Sequence, residues 1–239
     1  MVKQSKGGGI ERGGGGRRLT VKLRTAKGRK TASTRWIARQ LNDPYVEEAK
    51  RRGYRSRAAF KLIEIDDKHH ILKPGMKVVD LGAAPGGWSQ IAAERVASGV
   101  GSGPGQVIAV DLTEIESLPG VEVLALDVTE AGTLDRIRAA LKGGRADVVL
   151  SDMAAPATGH RATDHLRVVA LVEAAFDLAE DVLAPGGTFL AKVFQGGAGQ
   201  ELLTRLKQSF AKVSHVKPKA SRAESPEVYV LATGYRGSA

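Results

Sequence analysis

Lys192 stands inside an otherwise apolar run, Gly187-Thr-Phe-Leu-Ala-Lys-Val-Phe194. A buried charge is costly unless another group uses or neutralises it. Four further apolar runs arrive at an acidic residue: Val78-Val-Asp80, Val107-Ile-Ala-Val-Asp111, Val121-Glu-Val-Leu-Ala-Leu-Asp127 and Val148-Val-Leu-Ser-Asp152. In an open parallel sheet the carboxyl ends of the strands form the ligand crevice. Four carboxylates and one ammonium therefore converge on one sheet edge, the make-up of an active site.

Those residues need a sheet to carry them. From Met76 onward the pattern predicts strands over 77–81, 106–111, 121–126, 147–151, 187–193, about 212–217 and 228–233. Helices are predicted between them over about 88–97, 132–141, 164–183 and 198–210. The third is amphipathic, with Val168, Val169, Val172, Ala175, Phe176, Ala179 and Val182 at helical spacing, and stops before Pro185-Gly186-Gly187. Such alternation makes a doubly wound, mostly parallel α/β sheet with helices on both faces. Ahead of it, Asp43-Pro44 starts a helix that Gly53 closes, and a second helix runs from Ser56 through Ile63.

The turn from the first strand into its helix reads Gly82-Ala-Ala-Pro-Gly-Gly-Trp88. Small residues let backbone approach a ligand, and a helix N-terminus offers free N–H donors. A pyrophosphate loop would be Gly-x-Gly-x-x-Gly, whereas this turn carries a proline that removes a donor and suits a carboxylate-bearing or zwitterionic ligand. Asp111 is placed to accept from a ribose diol, and Asp127 from an exocyclic amine such as adenine N6. Adenosine with an amino-acid tail is S-adenosylmethionine. A nicotinamide-dependent oxidoreductase is disfavoured by the proline.

Six ordered blocks sharpen the reading: Ser56-Arg-Ala-Ala-Phe-Lys-Leu-x-Glu-Ile65, Val79-Asp-Leu-Gly-Ala-Ala-Pro-Gly-Gly-Trp-Ser-Gln90, Ser151-Asp-Met-Ala154, Leu183-Ala-Pro-Gly-Gly187, Lys192-Val-Phe-Gln-Gly196 and Ser225-x-Glu-Val-Tyr229. Over about residues 33–235 the chain resembles the FtsJ family of ribosomal RNA ribose 2′-O-methyltransferases. The resemblance implies a Rossmann-like methyltransferase fold with seven strands. It places a catalytic set on Lys61, Asp152, Lys192 and Glu227, and contacts to S-adenosylmethionine on Gly86, Trp88, Asp111, Asp127 and Asp152. It implies a uridine of large-subunit (23S) ribosomal RNA, in the assembled particle, as substrate. The chain departs from the family pattern in Ala154-Ala155-Pro156, where bacterial members carry Ala-Pro-Asn.

On that reading Lys192 takes the proton of an attacking 2′-hydroxyl, or keeps its own and orients the hydroxyl. Burial and Lys61 favour the neutral amine, Asp152 and Glu227 the ammonium, and the sequence leaves both roles open. A transfer-RNA methyltransferase of the same fold and a non-catalytic RNA-binding assembly factor are the competing readings.

Composition agrees with an RNA-directed enzyme. The 239 residues carry a net charge of +10, unevenly spread. Residues 1–32 hold ten Lys or Arg against one acidic residue, residues 33–62 eight against three, and the remainder eighteen against twenty-two. A basic first quarter ahead of a mildly acidic body points to a polyanion such as RNA. Residues 1–32 read as a disordered Gly-rich arm, 33–75 as an RNA-binding helical segment whose Arg35, Arg39, Arg51, Arg52, Arg55 and Arg57 would meet phosphates, and 76–235 as the core. There is no cysteine, and no apolar run long enough to span a membrane. A cytoplasmic monomer without a metal is expected, because the five histidines lack recognised ligand spacing.

Overall fold

The structure, a computed structural model, describes residues 37, 40–99, 105–156, 158–195 and 199–237. The predicted arm 1–32, Arg35, Arg39 and Gly196 lie outside the described residues. The chain divides into two units, residues 1–44 and 45–239. In the first, Ile37, Gln40 and Leu41 are helical. Every predicted catalytic and donor-binding residue belongs to the second.

Runs rich in Val, Ile and Leu become the strands β1 (Lys77–Leu81), β2 (Gln106–Asp111), β3 (Val121–Ala125), β4 (Ala146–Ser151), β5 (Leu183–Phe194), β6 (Phe210–Val216) and β7 (Glu227–Tyr235). They form one sheet in the order β3-β2-β1-β4-β5-β7-β6. Neighbours from β3 to β5 pair in parallel, while β7 runs antiparallel to both β5 and β6. The order reverses between β1 and β4, which opens a crevice at their carboxyl ends.

Successive strand residues face opposite sides. Val79, Ile108, Val149 and Phe189 pack under helices α4 (Thr133–Ala140), α5 (Arg161–Val182) and α6 (Gln200–Ser209). Val78, Val107, Val148, Leu150 and Leu190 pack under α2 (Ala59–His69) and α3 (Gly87–Val96). Burying each such side chain contributes roughly 1.5–3 kcal/mol, which is why both faces carry helices. Helix α1 (Pro44–Arg52) begins at the predicted Asp43-Pro44 junction and closes at Gly53, whose φ is +74°.

The starts of α2 and β5 differ from the sequence expectation for local reasons. Helix α2 starts at Ala59 rather than Ser56, because residues 56–58 form tighter turns in which Ala59, Phe60 and Lys61 donate to carbonyls three residues back. Strand β5 starts at Leu183, inside the expected helix. Its pairing with β4 jumps from Ala146–Leu183 to Val148–Thr188, so Pro185-Gly186-Gly187 is a bulge within the strand.

Candidate active site

The α2–α3 face of the sheet carries the charge cluster. In the antiparallel pairing of β5 with β7, Lys192 lies opposite Tyr229 and Phe194 opposite Glu227, which puts Lys192, Glu227 and Tyr229 on one face. Asp152 follows β4 directly, and Lys61 comes down from the first turns of α2. Lys192 Nζ lies 3.1 Å from Asp152 Oδ1 and donates to the Asp152 carbonyl at 2.7 Å. Lys61 Nζ lies 2.8 Å from Glu227 Oε1 and 3.8 Å from Asp152 Oδ2. Lys61, Asp152, Lys192 and Glu227 thus meet, although 166 positions of sequence separate the first from the last.

A fifth side chain, unassigned at the sequence level, closes the cluster. Tyr229 is fully buried; its hydroxyl accepts from Lys61 Nζ at 3.1 Å and donates to Asp152 Oδ1 at 2.8 Å. Burial, reinforced by the Asp152 and Glu227 charges, holds its phenol well above the ordinary range, so it remains a donor. The signal available in the sequence was its parity: Tyr229 shares the strand face of Glu227 and carries a polar atom among apolar neighbours.

The Asp152 carboxyl shows the opposite balance. Burial raises it, but the Lys192 and Lys61 charges, with hydrogen bonds from Tyr229 and Lys192, outweigh burial and hold it below its ordinary value. Two formal cations face two formal anions. Such an arrangement keeps buried charges compensated.

Asp152 also borders a cavity of about 350 Å³ at the switch point. Gly82, Ala84, Asp111, Leu112, Thr113, Leu126, Asp127, Val128, Met153 and Ala154 are among its walls. Asp111 ends β2, where Oδ2 accepts from Ala84 N–H at 2.9 Å and Oδ1 from Thr113 N–H at 2.7 Å. Asp127 accepts from the N–H and hydroxyl of Thr129, which hold it below the ordinary carboxylate range. Local N–H donors thus fix both carboxylates in place as acceptors on the slot. A Cβ at Gly82 would meet Met153 backbone at 2.9 Å, so this wall admits only glycine. That donor and acceptor set fits a nucleoside bearing a cationic tail.

Three predicted positions sit differently. The Trp88 ring does not line the cavity: it is buried, its Nε1 donates to Ala58 O at 2.8 Å, and it lies 5.5 Å from the Tyr229 ring. The ring therefore supports the approach of α2 and the floor of the charge cluster, leaving its backbone at the start of α3 for a ligand. Gly86 turns with φ +106° just before α3 and is likewise absent from the cavity wall. Asp80, counted with the edge carboxylates, is wholly buried beneath the loop; Ser89 Oγ donates to its Oδ2 at 2.6 Å and its Oδ1 has no partner. Burial pushes its carboxyl up to about 7, against the Ser89 hydrogen bond, with Asp152 and Asp111 adding to the rise.

The basic joint also departs from expectation. Arg51 and Arg52 are exposed and pair with Glu48. Arg55 and Arg57 instead turn inward, Arg57 donating to Ala220 O at 2.5 Å. Among the described residues no helix is long and apolar enough to cross a membrane, and no group of three or more His, Asp or Glu is arranged to hold a metal.

A sheet of this order, with a glycine turn after β1 and acidic residues at the next two strand ends, defines a methyltransferase of the Rossmann-like class. Residues 54–235 match the model of the FtsJ-like methyltransferase family. The chain belongs to that family. It is 60% identical over 225 residues to the ribosomal RNA large subunit methyltransferase E of Paramagnetospirillum magneticum, covering 94% of this chain and 92% of that one. To the protein of the same name from Xanthobacter autotrophicus it is 59% identical, covering 95% and 89%. A Plasmodium falciparum structure described as a ribosomal RNA methyltransferase superposes with a TM-score of 0.68 at 30% identity, covering 77% of this chain and all of that one.

Proposed function

We propose that the protein transfers a methyl group from S-adenosylmethionine to the 2′-hydroxyl of a uridine ribose in large-subunit (23S) ribosomal RNA, within the assembled particle. The observation that carries this reading is the double membership of Asp152, which lines the Asp111–Asp127 cavity and anchors Lys192 and Tyr229. A donor bound on one side of Asp152 and a hydroxyl delivered on the other would face each other across it. The names of the relatives support the ribosomal substrate.

S-adenosylmethionine supplies an already activated methyl group on a sulfonium. Asp111 would receive its ribose, Asp127 its adenine amine, and the backbone of Gly86 and Trp88 with Asp152 its remaining contacts. The main task left to the chain is alignment, which can lower a barrier by about 7–11 kcal/mol. Base assistance adds about 10²–10⁴-fold. Lys192 holds a fixed position through the carbonyl and carboxylate of Asp152, so its amine is ready to receive or orient the hydroxyl proton. Lys61 and Glu227 balance the charge that this leaves. Tyr229 keeps Asp152 in place. Only RNA offers the 2′-hydroxyl.

Arg51 and Arg52, with the arm 1–32, would supply phosphate contacts that position rather than specify. The protein would act as a cytoplasmic monomer. The test is radiolabelled methyl transfer to unmethylated large subunits, bulk transfer RNA and DNA, with ribose methylation mapped afterwards. Label confined to one uridine of the large subunit is expected. Preferential labelling of transfer RNA, or no labelling at all, would overturn the reading.

A further inference from the structure

Arg55 lies at the basic joint between α1 and α2, where the sequence suggests a phosphate contact, but its guanidinium is engaged elsewhere. Nη1 donates to Pro85 O at 3.2 Å and to Glu116 O at 2.7 Å, and Nη2 to Ser117 O at 2.8 Å. These carbonyls come from two loops: the glycine turn after β1, and the segment between β2 and β3. Gly82 and Ala84 of the first and Leu112 and Thr113 of the second both line the cavity. No backbone N–H among the described residues donates to any of the three carbonyls. The one carboxylate within ion-pair range among the described residues, on Glu116, is 3.9 Å away and almost fully exposed, so ion pairing does not explain the placement.

The surroundings are shaped around this side chain. The backbone N–H of Arg55 donates to Gln90 Oε1 at 2.7 Å, and Gln90 Nε2 donates to Gly53 O at 3.1 Å. Gln90 on α3 therefore fixes the stretch from which Arg55 reaches out. A Cβ on Gly86 would come within 2.7 Å of Leu118 and 3.2 Å of Arg55 Cδ, and one on Gly87 would collide with the Ser56 hydroxyl. Those two glycines make room for residues 55 and 56. On the cavity side, Ala84 N–H and Asp111 Oδ2 join the same two loops at 2.9 Å.

We infer that Arg55 is a positioning residue: it clasps the outer sides of the two loops while Asp111 clasps the inner sides, so setting the width of the slot that receives the methyl donor. The inference rests on the S-adenosylmethionine reading of that slot. A planar guanidinium supplies several N–H donors in a fixed fork and can serve three carbonyls at once; an ammonium on a flexible stem cannot hold that geometry.

The full chain and its Arg55→Lys and Arg55→Ala variants test this by calorimetric titration with S-adenosylmethionine, steady-state methylation of large subunits, and RNA affinity against salt. Arg55→Ala should raise the donor Kd and KM at least about 10-fold, with kcat at saturating donor within about 3-fold of wild type. Arg55→Lys should recover little. Guanidinium ion at a few millimolar should partly restore donor affinity to Arg55→Ala and leave wild type unchanged, which a merely structural defect would not allow. The slope of log RNA affinity against log salt should not move. Wild-type donor affinity in Arg55→Ala, with a slope flatter by about one, would make Arg55 a phosphate contact and overturn the inference. Should Arg55→Ala fail to fold, wild-type donor affinity in Arg55→Lys overturns it equally. No donor binding by the wild-type chain would remove the donor reading and this inference together, and the control titration tells that case apart.

Discussion

Asp80 and Asp152 sit at the carboxyl ends of neighbouring strands, β1 and β4; Asp80 is wholly buried, Asp152 keeps 17% of its side chain exposed, and loss of water raises both, yet their carboxyl groups shift in opposite directions. Asp80 has one hydroxyl donor, an oxygen without a partner and two like charges nearby. Asp152 has two ammonium groups and a phenol. Depth alone therefore does not decide ionisation here; the sign and number of neighbours reverse its effect at Asp152. One strand end stores a proton under the glycine loop, while the adjacent one holds a compensated anion beside the cavity. The contrast also explains their different work. Asp80 holds Ser89 and with it the start of α3, whereas Asp152 holds Lys192 and itself borders the cavity.

The largest expected effect on catalysis comes from stripping the Asp152 side of its nearest cation. Lys192→Ala should lower single-turnover methyl transfer at least 100-fold, roughly 3 kcal/mol, with donor affinity within about 3-fold of wild type. Retention of more than a tenth of the rate would take Lys192 out of the chemistry. Lys192→Arg keeps the charge without an easily lost proton, so recovery there would mark an orienting role.

The largest expected effect on stability comes from the proton on Asp80. With its carboxyl raised to about 7, the folded chain keeps this proton after the unfolded chain has released it. Stability contributed by this group therefore falls as pH rises from about 4 to about 7, by up to about 4 kcal/mol, and is flat above. Asp80→Asn should remove that fall in urea unfolding measured across the range without donor. Asp152, being depressed, adds stability that is present above the ordinary carboxylate range and lost as pH falls through its lowered value. Asp152→Asn should erase that acid limb. Equal pH profiles for wild type and Asp80→Asn would break the comparison.

Smaller effects sharpen it. Tyr229→Phe deletes a hydrogen bond to the charged Asp152 and one from Lys61, and should cost about 1.5–3 kcal/mol in unfolding while moving the Asp152 acid limb upward. An unmoved acid limb would show that the two ammonium groups alone set Asp152. Ser89→Ala removes the single hydroxyl donor to Asp80, and should cost about 1 kcal/mol while extending the alkaline fall to higher pH.

Much of this architecture could be read along the chain because it depends on local pattern. Apolar runs with acidic ends marked Asp111, Asp127 and Asp152, and a charge inside such a run marked Lys192. The glycine turn and the spacing of six blocks carried the family. Other features depended on pairs that sequence keeps apart. Tyr229 became visible only when β5 and β7 paired in the register that sets it opposite Lys192. Arg55 looked like its arginine neighbours until the carbonyls 30 to 62 positions away came within reach of its guanidinium. The Trp88 ring could have faced either way from α3, and packing against Ala58 and Tyr229 turned it inward.

Residue types and their order thus determined which strands form, which ends carry acid, where the tight turn falls and to which family the chain belongs, since those follow from short-range periodicity and from small residues at a turn. Tertiary structure alone decided which carboxylate keeps a proton, which arginine holds backbone instead of facing outward, and which tyrosine joins the charges. Solvation and hydrogen-bond partners are properties of a position in space, and they come into being only when distant segments pack.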